Sequence, residues 1–148
     1  MFVIKTEDLK HKKYMDFIPY RRLYRVMRDD ENRMHGIQAK DPWSTHSVEE
    51  HVGNWKLWTM FISTSASKLK AEKFAKYAKD YHPGSKRIAV IDVARLGNRV
   101  LYVDLTDKHV RDVLIPNNKH VNKWADYQRE VLVIGYIPKQ CILETYII

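Results

Sequence analysis

Two apolar runs constrain the fold of this chain most: Arg87-Ile88-Ala89-Val90-Ile91-Asp92-Val93 and Glu130-Val131-Leu132-Val133-Ile134. Both are rich in β-branched residues and neither alternates apolar with polar. That pattern predicts strands covered on both faces. A sheet with two covered faces needs layers above and below it, and the rest of the chain must supply them. Further strands are expected at Leu23-Tyr24-Arg25-Val26-Met27, with Tyr24 and Val26 on one face and Arg25 on the other. Three more are expected at Met60 to Ser63, Val100 to Val103 and Ile142 to Ile148.

Helical spacing is clearest over residues 67–80, where Ala71, Phe74, Ala75 and Ala78 share a face and lysines cover the other, before His82-Pro83-Gly84 stops the pattern. A second helix is expected near 46–57, with Val48, Val52 and Trp55 in one stripe and Ser47 and Glu50 at capping-box spacing. Thr106 is the expected cap of a short helix ending near Leu114. Residues 29–44 and 115–128 read as polar loops, and the charged residues 5–16 as a helix or a loose arm. Strands outnumber helices, and the helices cluster in the first half. The expectation is a single α+β domain over residues 1–148.

At 148 residues the chain can bury a substantial core. A formal charge of +8 and a pI near 9.5 suit nucleic acid, acidic membranes or anionic ligands. The one cysteine, Cys141, excludes an internal disulfide and a cysteine-only metal cage. Met1-Phe2-Val3-Ile4-Lys5 is too short and too quickly charged for a signal peptide, and no apolar run approaches membrane-spanning length. A cytoplasmic protein or a secreted effector, monomeric and without a membrane partner, is expected.

Several chemistries fail on spacing. In "HSVEEH", His46, Glu50 and His51 match no zincin pattern, and adjacent Glu50 and His51 point to different helix faces. Gly36, Gly53, Gly84, Gly97 and Gly135 are isolated, so no phosphate loop exists. Cys141 lacks an activating neighbour beyond Lys139 and reads as a core residue. Three features remain: Arg25 in "LYRVMR", Ser63-Thr64-Ser65 in "FISTSAS", and Gln128-Arg129-Glu130 in "YQREVLV". The hydroxyl triplet admits two uses, capping of the following helix or a ligand, and Ser67 is the better cap.

In order and strand context these three features resemble the Arg–Ser–Glu, cholera-toxin-like class of mono-ADP-ribosyltransferases, over roughly residues 20–148. "KFA" in the helix after the triplet and "EVLVIGYIP" fit the same resemblance. It implies a split β-sandwich with NAD, as substrate and without a metal, in the cleft. It also implies Glu130, Ser63 and Gln128 as catalytic residues, and Arg25, Ser63, Thr64 and Ser65 against NAD. Valine follows Arg25 where many members have glycine, so Arg22 and Arg28 are rivals for the diphosphate. Glutamine at 128 resembles members that modify amide-type side chains or guanine rather than arginine. The acceptor, nucleic acid or protein, would meet Gln128, Trp124 and Tyr127, and the basic charge favours nucleic acid. Trp43, Trp58, Phe74 and Tyr77 are all candidates to stack on nicotinamide.

Elementary chemistry suits these roles. Nicotinamide leaves without a general acid through an oxocarbenium-like state, which one carboxylate against the ribose can stabilise. An arginine fork binds diphosphate oxygens bidentately. Two alternatives stay open: an NAD glycohydrolase using the same site, and a non-catalytic basic nucleic-acid-binding domain.

Overall fold

The computed structural model describes residues 19–54, 56–81, 86–97 and 100–148. The expected arm at 5–16, Trp55 and the stop at 82–84 lie outside the described residues. Six strands, β1 (Arg22–Val26), β3 (Phe61–Ser65), β4 (Arg87–Asp92), β5 (Tyr102–Asp104), β6 (Glu130–Ile134) and β8 (Ile142–Ile147), form a sheet in the order β5-β6-β3-β1-β4-β8. Every pairing in it is antiparallel. A two-stranded ribbon joins β2 (Ile37–Gln38) to β7 (Tyr136–Ile137).

The sheet is hinged in its middle. β1 pairs with β4 from Arg22↔Asp92 to Val26↔Ile88, and β3 pairs with β6 along its full length. Between β1 and β3 the register holds one pair, Tyr24↔Ser65. The sheet is therefore two three-stranded wings whose ladder is joined at a single register pair, in keeping with the expected split.

Each wing has its own cover. Leu23, Met27, Ile62, Ala89, Ile91, Val131, Val133 and Ile142 share one face with Ile37 and Ile137 of the ribbon. On the other face Phe61, Leu132 and Ile134 pack against Val48 of α1 (Val48–Gly53), Val110 of α4 (Lys108–Leu114), and Val121 and Ala125 of α5 (Lys119–Tyr127). On the same side, Ala71 and Ala75 of α2 (Lys68–Tyr81) close over Ile88 of the second wing. Ile88, Ala89 and Ile91 are fully buried, as the unbroken apolar run predicts; each isoleucine is worth about 1.5–3 kcal/mol on leaving water. A short α3 (Val93–Leu96) follows β4.

Local signals set the helix starts. Ser47 and Glu50 form the expected capping box at α1, although the helix ends at Gly53. Ser67 Oγ accepts from Lys70 N at 3.2 Å at the head of α2, so Ser67 is the cap. The start of α4 is capped by Asp107, which accepts from His109 N and Val110 N; Thr106 instead donates to Asp104 Oδ1. The loop expected over 115–128 is largely the helix α5, and it adds helix to the second half of the chain. Asn118 caps it by accepting from Val121 N. Its apolar seat is only Val121 and Ala125, at i and i+4, inside an otherwise polar sequence, and that is why the polar composition concealed it.

Candidate active site

The face of β3 and β6 that packs against α1, α4 and α5 carries Ser63, Ser65 and Glu130. The register puts Ser65 opposite Glu130 and Ser63 opposite Leu132, so Ser63 and Glu130 are diagonal neighbours on one face. The Ser63 hydroxyl is thereby set beside the Glu130 carboxyl, and His51 Nε2 lies 2.8 Å from its Oγ. Burial pushes the Glu130 carboxyl up to about 7, against the opposing pull of the Ser63 hydroxyl and the Arg25 charge.

Arg25 stands where the wings part. Its Nη1 donates to the Ser63 carbonyl at 2.8 Å, a backbone acceptor that the single-pair register leaves beyond β1's own ladder. Its Nε and Nη2 donate to Glu31 at 3.1 Å each. These contacts leave a further N–H on each terminal nitrogen. Arg28 shares the Glu31 carboxylate at 3.2 Å but also pairs with Asp30, while Arg22 pairs with Asp92. Of the three arginines expected as diphosphate partners, Arg25 is the one whose charge acts on both Glu130 and His51. A polar surface depression of about 370 Å³ opens over Glu31, with Arg28, His35 and Lys40 on its rim.

The other two hydroxyls of the triplet engage the backbone. Thr64 Oγ1 donates to Val131 O at 2.6 Å, on the opposite face from Ser63. Ser65 Oγ donates to Gln128 O at 2.7 Å and accepts from Ser67 N at 3.0 Å. Thr64 thereby ties β3 to β6, and Ser65 anchors the end of α5. Gln128 is the C-cap of α5 and is buried. Arg129 follows in the left-handed region at φ 52°, a conformation costing about 1–2 kcal/mol for a residue with a side chain. It is held by its Nη2 donating to Tyr20 Oη at 3.0 Å and its carbonyl accepting from Ala66 N at 2.9 Å. This turn delivers Glu130 to the mouth of β6.

His51 joins the site, and sequence spacing did not assign it there. Its Nε2 lies 2.8 Å from Ser63 Oγ and its Nδ1 2.6 Å from Thr59 Oγ1. Burial, with the Arg25 charge, lowers its imidazole to about 4, so it is neutral at pH 7. The available signal was its place three residues after Val48 on the inward stripe of α1. The rest of "HSVEEH" stays apart: His46 Nδ1 meets Glu50 at 3.1 Å on the surface, and among the described residues no His, Cys, Asp and Glu group could hold a metal.

The exposed side of α5 presents Trp124 and Tyr127, stacked at 6.0 Å between ring centroids. Lys70 Nζ sits 3.4 Å from the Tyr127 ring centroid, and Lys119 and Lys123 are exposed nearby on the same helix. Of the four candidates for nicotinamide, Trp43, Trp58 and Tyr77 are exposed, and Phe74 packs beside Tyr77 at 6.4 Å. The ring beside His51 is Phe61, at 5.5 Å. Cys141 is buried in the core, as expected.

The fold is α+β and ADP-ribosyltransferase-like. It is similar to the solved structure of EcPltA, with a TM-score of 0.65 at 14% identity, over 88% of this chain and 77% of that one. Residues 23–148 match the family described as Domain of unknown function (DUF7587), and the chain belongs to that family. No curated protein sequence matches the chain. Among the described residues no helix is long and apolar enough to cross a membrane.

Proposed function

We propose that this protein cleaves the nicotinamide–ribose bond of NAD and moves ADP-ribose to a macromolecular acceptor. One observation carries the proposal: residues far apart along the chain are gathered at the junction of the wings, with Ser63 diagonal to Glu130 on one face, Arg25 bonded to the Ser63 carbonyl, and the Arg25 charge acting on Glu130. Glu130 as carboxylate stabilises the ribosyl cation and binds a ribose hydroxyl. Ser63 holds that carboxylate in place. Arg25 keeps β3 against β1 and offers its remaining N–H groups to the diphosphate. Thr64 and Ser65 support the site through the backbone. The acceptor approaches over Gln128, whose amide both donates and accepts, with Trp124 and Tyr127 as stacking surfaces.

Nucleic acid is the favoured acceptor. Stacked aromatics flanked by Lys70, Lys119 and Lys123 make a platform for an unpaired base beside charges for its phosphates. The test is nicotinamide release from NAD, with labelled NAD followed separately into nucleic-acid and protein fractions. The parent chain is expected to release nicotinamide and label nucleic acid, and Glu130→Ala to lose at least about 100-fold in release. Release with water as the acceptor points to a glycohydrolase, while no release with nucleic acid, protein or neither present ends the enzyme proposal.

A further inference from the structure

We propose that Thr59 and His51 are positioning residues of a one-directional hydrogen-bond chain that turns the Ser63 hydroxyl proton toward Glu130 and favours its ionised form. The inference deepens the reading of the same site, but it needs no NAD to be tested.

The chain runs from the start of β3 to the mouth of β6. Phe61 N donates to Thr59 Oγ1 at 3.2 Å. Thr59 Oγ1 lies 2.6 Å from His51 Nδ1, His51 Nε2 lies 2.8 Å from Ser63 Oγ, and Ser63 stands diagonal to Glu130 on the same face of the sheet. A neutral imidazole has one N–H, so its tautomer sets the direction of every hydroxyl in the chain. A carboxylate only accepts. With Glu130 ionised, Ser63 donates to it, His51 Nε2–H donates to Ser63, and Thr59 O–H donates to Nδ1.

The opposite direction is penalised at the Thr59 end. There His51 Nδ1–H would donate to Thr59 Oγ1, which already accepts from Phe61 N. The threonine proton would be left with Phe61 O at 3.5 Å, far longer than the 2.6 Å contact it gives up. Thr59 is 2% exposed, so water is a poor substitute. The asymmetry fixes the Nε2–H tautomer and aims the Ser63 proton at the carboxyl.

The charged groups around Glu130 are compatible with this. Arg25 on β1 adds its field from a distance, and Glu31 behind it is bonded to the guanidinium. Asp104 on β5 pairs with Val131 and lies on the other face. Gln128 on α5 is neutral.

The test is nitrogen-15 NMR of the His51 ring at pH 8, with carbon-13 titration of the Glu130 carboxyl, in the parent chain, Thr59→Val and Thr59→Ser. The parent and Thr59→Ser are expected to hold the Nε2–H tautomer. In Thr59→Val a mixture of tautomers is expected, with the Glu130 midpoint higher by about 0.5 to 1 pH unit, the size of one lost hydrogen bond. An Nδ1–H tautomer in the parent overturns the proposal. So does a folded Thr59→Val that changes neither signal. Should that variant fail to fold, the parent tautomer decides by itself. Nicotinamide release is not read, so an inactive enzyme with the Nε2–H tautomer counts against NAD cleavage alone.

Discussion

Two segments beside Arg25, the turn after β1 and the mouth of β6, treat a carboxylate in opposite ways. In the turn, the Glu31 side chain is 4% exposed and accepts from Arg25 Nε and Nη2 at 3.1 Å and from Arg28 N at 2.8 Å. Arg87 Nη2 also bonds the Glu31 carbonyl at 2.7 Å. At the mouth of β6, Glu130 has the Ser63 hydroxyl for a neighbour and feels Arg25 only as a weaker field, so burial prevails and its carboxyl is pushed up to about 7. One carboxylate is neutralised by contact and becomes architecture. The other is half-buried without a contact cation and keeps its charge at the edge of stability.

The sharpest break of this contrast is Glu31→Ala. It strands the buried Arg25 guanidinium without its counter-ion, and a loss of about 3–5 kcal/mol is expected in denaturant unfolding. A loss below about 1 kcal/mol would show that the two carboxylates are not so different. Next in size is the pH dependence carried by Glu130. Its folded value, about 7, lies above the ordinary 4.5. The folded state therefore holds the proton more tightly, and the stabilisation is complete below about 4.5 and lost as pH rises through about 7. Glu130→Gln has no such loss. The parent is expected to fall behind it by up to about 2–3 kcal/mol between those values, with partial exposure trimming the figure. Parallel pH–stability curves for the two proteins would count against a buried, ionisable Glu130. The smallest effect is Ser65→Ala, which frees the end of α5 and the Ser67 amide at a cost of about 1–2 kcal/mol. Protection of the Gln128–Glu130 amides from hydrogen exchange should drop locally, and uniform protection would argue that Ser65 does not anchor them.

Much of the sheet was legible. Ile88–Ile91 and Val131–Ile134 are buried on both faces, because unbroken apolar sequence has no polar side to offer water, although the first strand ends at Asp92 and Val93 opens a helix. The alternation at 23–27 placed Arg25 opposite Tyr24 and Val26, and the side chain does reach the parting of the wings. α5 was not legible, since its stability rests on two small apolar contacts and an Asn118 cap rather than on a broad stripe. The site was legible in part. The order of Arg25, Ser63 and Glu130 could be read, whereas the attachment of Thr64 and Ser65 to backbone acceptors needed the pairing of β3 with β6.

His51 marks the boundary most clearly. Local order along the polymer dictated the strands, the capping box at Ser47, the alternation around Arg25 and the basic charge, because each depends on neighbours within a few residues. Which carboxylate Arg25 neutralises, which face carries Ser63, and that a histidine from α1 meets a threonine before β3 all depend on how wings and helices pack. Those contacts join groups that no residue spacing relates, and the Arg25 contact that separates Glu31 from Glu130 exists only once the chain has closed around them.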